Sequence, residues 1–128
     1  MPGALSSAAL AARANAFAPY SHFQVGAALE DDGGRIHTGC NVENSTYGLT
    51  LCAERVAVFK AISEGARKFR RIAIAADTDT LTPPCGACRQ ILWEFCGDIE
   101  ITLLNPHGKT EVHQLRDLFP KPFDGSFL

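Results

Sequence analysis

The chain has 128 residues, 46% of them hydrophobic and 20% charged, a balance that excludes intrinsic disorder and points to one domain over residues 1–128. Twelve Lys and Arg against fourteen Asp and Glu leave a formal charge of −2, which argues against a binder of long nucleic-acid stretches. No apolar run approaches the ~20 residues of a membrane span, so neither nucleic acid nor membrane is an expected partner.

From Leu5 to Phe17 an alanine-rich run predicts a helix, which Pro19 ends. This start lacks the basic and greasy regions of an export signal, and the five cysteines are odd in number, so the expected location is cytoplasmic. Phe23 to Leu29 reads as a strand, Asp31-Asp32-Gly33-Gly34 as a turn, and Arg35 to Cys40 as its hairpin partner. Leu51 to Glu64 turns helical, with Leu51, Val58, Ala61 and Ile62 on one face and Gly65 placed to end it. Arg71 to Ala76 is a short strand of Ile and Ala. After Pro84, the residues Cys88, Ile91, Leu92 and Phe95 recur at helical spacing. Glu100 to Leu104 and Lys109 to Val112 are strands on either side of an Asn105-Pro106-His107-Gly108 turn, and a short helix runs to Phe119. The alternation predicts an α/β fold, a three-layer α/β/α sandwich around a central mixed five-stranded sheet.

The informative residues are Cys52-Ala53-Glu54 and Pro84-Cys85-Gly86-Ala87-Cys88, each opening a predicted helix. The first turn of a helix brings residues three apart together, so Cys85 and Cys88 can share one metal. Cys52 can add a third thiolate from the second helix. Both helix starts direct partial positive charge at these sulfurs, which favours the thiolate form. Three protein ligands leave one tetrahedral position of zinc open, the catalytic arrangement, with one zinc per chain. Glu54, two residues after Cys52, is near the metal without being a ligand, placed to take a proton from water and pass it to a substrate nitrogen. Arg55 can donate to the sulfurs and draw charge from a site that three thiolates make electron-rich.

A lone Cys-x-x-Cys is also the signature of redox pairs and structural zinc knuckles. The redox reading leaves Cys52 and Glu54 without a purpose. A closed structural site needs a fourth ligand, for which Cys40, Cys96 and four histidines are available. Cys40 and Cys96 read better as small buried apolar groups. His22, His37, His107 and His113 lack ligand spacing and read as structural or exposed.

The stretches Pro19 to Ala28, Gly39 to Asn44, Cys52 to Arg55, Pro84 to Gln90 and Leu118 to Phe123 together resemble the cytidine deaminase family over nearly the whole chain. The first ligand is Cys52, where many members of the wider superfamily have His, which resembles the small homotetrameric branch. The resemblance implies zinc-dependent hydrolytic deamination of cytidine and 2′-deoxycytidine, with Glu54 as proton shuttle and Arg55 neutralising the thiolates. It assigns Asn41 and Glu43 to the ribose hydroxyls, Phe23 to the pyrimidine pocket and the Ala53 amide to the base carbonyl. It implies a homotetramer with shared active sites, in which Tyr47 and Phe123 reach a neighbouring subunit. Without it, these residues would read as strand core, turn and surface. A deaminase of another aminated nucleoside, or a structural zinc protein, are the competing readings.

Overall fold

The computed structural model describes residues 3–128. Its elements follow in the order α1 (Ala4–Arg13), β1 (Val25–Asp31), β2 (Ile36–Cys40), α2 (Ala53–Ser63), β3 (Phe69–Ala76), α3 (Gly86–Cys96), β4 (Glu100–Leu104), β5 (Thr110–Gln114) and α4 (Leu115–Leu118). Short 3-10 turns at Tyr47–Leu49 and Gly125–Phe127 complete it. The strands form one five-stranded sheet in the order β2-β1-β3-β4-β5. β1 pairs antiparallel with both β2 and β3, β3 pairs parallel with β4 across the α3 connection, and β4 pairs antiparallel with β5. The sheet is therefore mixed, as expected.

Side chains alternate between the two faces of a strand, and β3 makes the consequence plain. Ile72 and Ile74 point to one face, where Leu29, Ile101 and Leu103 join Val58 and Leu92 from α2 and α3. Ala73 and Ala75 point to the other, where Ala28 and Leu104 meet Ala9 of α1. The alanine face lets the alanine-rich helix approach closely. A Cβ at Gly26 would fall on the Ala9 carbonyl, and one at Gly39 would lie 2.5 Å from the Ala53 oxygen and 2.5 Å from the Ala57 nitrogen. Gly39 thus presses β2 directly against the first turns of α2. At the far end of the hairpin His37 is buried, 2.9 Å from Asp31 and 3.3 Å from Glu64, which is a structural use of that histidine.

Several boundaries differ from the sequence expectation for a tertiary reason. α1 stops at Arg13 instead of Phe17, because Phe17 pairs with the chain at 41–43: its N–H donates to Asn41 O at 2.9 Å and its carbonyl accepts from Glu43 N at 2.9 Å. β1 begins at Val25 instead of Phe23, since His22 sits at a left-handed φ of 59° just before. Leu51 precedes α2 and bridges Val42 instead of joining the helix face. Phe95 is half exposed and meets Phe59 edge-on, with ring centres 6.2 Å apart.

Candidate functional site

Cys52 caps the N-terminus of α2 and Cys85 that of α3, so two helices begin at one place. Both caps have extended backbone, and the Cys85 sulfur accepts the Cys88 N–H at 3.4 Å. Cys88, one turn into α3, is fully buried. The three sulfurs lie within 4.8 Å of one another.

The electrostatics of this cluster suit a cation. The Cys88 thiol donates to the Cys52 sulfur, and with help from the Arg55 charge this lowers the Cys52 pKa to about 6 against its burial. Cys88 is pushed up, because it supplies that proton and is buried. Arg55 lies beside the same sulfurs, Cys88 foremost, which hold its pKa above the ordinary guanidinium value. Its buried Nε has no hydrogen-bond partner among the described residues. Three converging soft sulfurs with a cation behind them match the donor set of zinc.

Glu54 is 5% exposed, and burial raises its pKa above the usual carboxylate range. It lines a cavity of about 210 Å³ together with Cys52, Cys85, Ala53, Phe23, Asn41 and Glu43. That volume is below the roughly 300 Å³ at which drug-sized pockets begin, so what enters it is no larger than a small molecule. Asn41 is buried; its Nδ2 donates to Phe23 O at 2.7 Å and its Oδ1 accepts from Val25 N at 2.9 Å, which holds the end of β2 against the start of β1. Glu43 accepts from the Tyr20 and Ser21 amides, both at 3.0 Å, and from the Ser21 hydroxyl, which keeps its pKa below the ordinary value.

Residues from four separate stretches of sequence therefore meet in one cavity. Tyr47 stands in an adjoining hollow of about 380 Å³ with Tyr20, their ring centres 6.3 Å apart. Phe123 lines neither hollow; it stacks on Phe127 at 5.5 Å, and its carbonyl accepts from the Gln90 amide at 2.9 Å. Cys40 and Cys96 lie outside the sulfur cluster, and burial pushes Cys96 up to about 12. Sequence reasoning overlooked Ser21, Thr50, Leu51, Thr82 and Pro83 as further cavity residues. Only Ser21 carried any signal, as part of the stretch Pro19 to Ala28 that carries the family resemblance.

A protein-family model for the cytidine and deoxycytidylate deaminase zinc-binding region matches residues 3–102. The chain belongs to that family. It is 50% identical to the cytidine deaminase of Sporosarcina psychrophila over 113 residues, 88% of this chain and 83% of that one. The cytidine deaminase of Halalkalibacterium halodurans is 49% identical over 116 residues, 90% of this chain and 88% of its own. The crystal structure of the cytidine deaminase from Burkholderia pseudomallei superposes with a TM-score of 0.92 at 46% identity, covering 96% of this chain and all of that one. In this deaminase Cys52, Cys85 and Cys88 are the zinc ligands.

Proposed function

We propose that this chain hydrolyses cytidine and 2′-deoxycytidine to uridine and 2′-deoxyuridine with release of ammonia, in a single domain spanning residues 1–128. The observation that carries the reading is the buried Glu54 beside a three-sulfur cluster at a small cavity. Similarity near 50% to cytidine deaminases over most of the chain supports the substrate.

Zinc at Cys52, Cys85 and Cys88 supplies a Lewis acid that makes water nucleophilic near neutral pH. Glu54 then does the proton work. Burial raises the Glu54 carboxyl pKa above the usual carboxylate range, which favours its holding a proton between taking and giving it. It takes one proton from the attacking water and passes it to ring N3, then takes the proton of the new hydroxyl at C4 and passes it to the departing exocyclic nitrogen. Arg55 spreads the negative charge of the thiolates. Phe23 gives the pyrimidine an apolar wall, the Ala53 amide at the start of α2 faces the base carbonyl, and Asn41 and Glu43 take the ribose hydroxyls. Asn41 already spends one donor and one acceptor on the backbone, leaving one of each for a sugar.

The same reading makes the working unit a homotetramer with shared active sites, to which Tyr47 and Phe123 contribute from neighbouring subunits. Their exposures of 77% and 56% support it, as does the exposed Leu49 next to Tyr47. Light scattering tests the assembly, and a monomer overturns it. We also place the chain in the cytoplasm, where its five free thiols stay reduced. Among the described residues no helix is long and apolar enough to cross a membrane.

Ammonia release from cytidine by the zinc-loaded protein, with adenosine and free cytosine in parallel, tests the activity. Turnover of cytidine and 2′-deoxycytidine is expected. A zinc-loaded chain that turns over neither overturns the substrate and moves the reading to another aminated heterocycle.

A further inference from the structure

Glu43 is held in an unusual way for a carboxylate at a cavity wall. Among the described residues it forms no ion pair with any Lys, Arg or His within 4.0 Å. All the bonds to its carboxylate come from one tight turn, closed by the His22 N–H donating to Ala18 O at 3.0 Å, with His22 left-handed at its end. The turn aims the Tyr20 and Ser21 amides at the same oxygen, Oε1, each at 3.0 Å. The last torsion of a carboxylate side chain has a broad and shallow preference, so its plane is anchored at both ends only when Oε2 is bonded as well as Oε1. The second oxygen, Oε2, has one side-chain partner, the hydroxyl of Ser21.

That hydroxyl has no choice of direction. It accepts the Phe23 N–H at 3.0 Å, and an ionised carboxylate offers no hydrogen, so the single hydroxyl proton goes to Glu43. We infer that Ser21 is a positioning residue for the deaminase reaction: its hydroxyl fixes the plane of the Glu43 carboxylate, and so the lone pairs that the sugar hydroxyls meet, while tying that carboxylate to Phe23 on the base wall. Ser21, Glu43 and Thr50 line both the cavity and the adjoining hollow, so Ser21 and Glu43 form part of the wall between them. The inference rests on the reading of Glu43 as a ribose contact.

Kinetics with two substrates separate the possibilities. Ser21→Ala should raise KM for cytidine about tenfold with kcat nearly unchanged, the loss expected when a charged acceptor loses its alignment. For 2′,3′-dideoxycytidine, which lacks the 2′- and 3′-hydroxyls, the same variant should lose no more than about threefold, the part owed to the Phe23 N–H that Ser21 no longer accepts. The ratio of the two substrates does not depend on the folded fraction, and Ser21→Thr, which restores a hydroxyl, should recover most of it. Equal losses on both substrates, or no loss on cytidine, overturn the role of Ser21. Glu43→Ala supplies the control: if it too leaves the ratio of cytidine to dideoxycytidine unchanged, Glu43 does not read the sugar, and the premise fails instead. If Glu43→Ala shifts the ratio and Ser21→Ala does not, the premise stands and Ser21 has no part in it.

Discussion

Two kinds of wall enclose the cavity, and they are built by different means. Cys52, Ala53, Glu54, Cys85 and Cys88 ride on the starts of two helices, whose backbone hydrogen bonds set their directions. Ala53, Glu54 and Cys88 are all buried. Ser21, Phe23, Asn41 and Glu43 come from a tight turn and a strand end, and hold one another through side chain to backbone bonds. Phe23 remains 39% exposed. The difference teaches that the metal-binding sulfurs are placed on rigid elements here, while the facing wall is left to loops that only the folded chain brings together.

The sharpest way to separate the two walls is to remove the proton carrier alone. Glu54→Ala should lower turnover of cytidine about 10³-fold, the scale of general acid–base catalysis, while the bound zinc measured by atomic absorption stays at the parental level. Substantial residual turnover would sink the shuttle. Cys85→Ala attacks the same wall at its metal, so zinc content and activity should fall together. Full zinc occupancy in that variant would contradict its role as a ligand.

A smaller effect is expected from shifting a helix start without touching its chemistry. Gly39→Ala places a methyl group 2.5 Å from backbone atoms of Ala53 and Ala57, so α2 must move. Overpacking of this sort costs about 2 kcal/mol. The Tm should fall by several degrees and kcat should fall with it, whereas a change confined to KM would show that the helix start tolerates the displacement.

The smallest effect serves as a remote reference. Asp31 ends β1, six residues and about 20 Å along an extended strand from Val25 at the cavity. Its contact with His37 and the amides of Arg35 and Gly33 hold its pKa below the model-compound value of 3.8. A depressed carboxylate stabilises the fold above its unfolded pKa and loses that contribution as pH falls through the folded value. Asp31→Asn should therefore lower Tm at neutral pH, and the gap to the parent should close below about pH 4. KM for cytidine should not move; if it does, the hairpin tip and the loop wall are coupled.

How much was legible in the sequence follows the same division. The ligand set and Glu54 could be read from spacing, because a helix start turns sequence intervals directly into spatial ones. β4 matched its expected bounds, Glu100 to Leu104, and the Ile and Ala run from Arg71 to Ala76 marked β3, which starts two residues earlier at Phe69. The end of α1 was not legible, since alanine favours helix and only the distant chain at 41–43 pulls Phe17 away. The loop wall was legible through family resemblance and not through pattern: nothing local in Ser21 or Thr82 tells that either faces a cavity. Tyr47 and Phe123 show the limit most clearly, as both stand outside the cavity of their own chain.

The placing of the cysteines also ties the metal centre to the middle of the sheet. Cys52 precedes β3 and Cys85 follows it, and β3 is the middle strand, paired to β1 on one side and β4 on the other. No fragment holding only one of the two helix starts has all three sulfurs, and no fragment without β3 has a surface on which to align them. The complete metal centre thus needs a stretch of chain that contains both helix starts and the middle strand between them. A cation seated there joins two segments that the sequence keeps a whole strand apart.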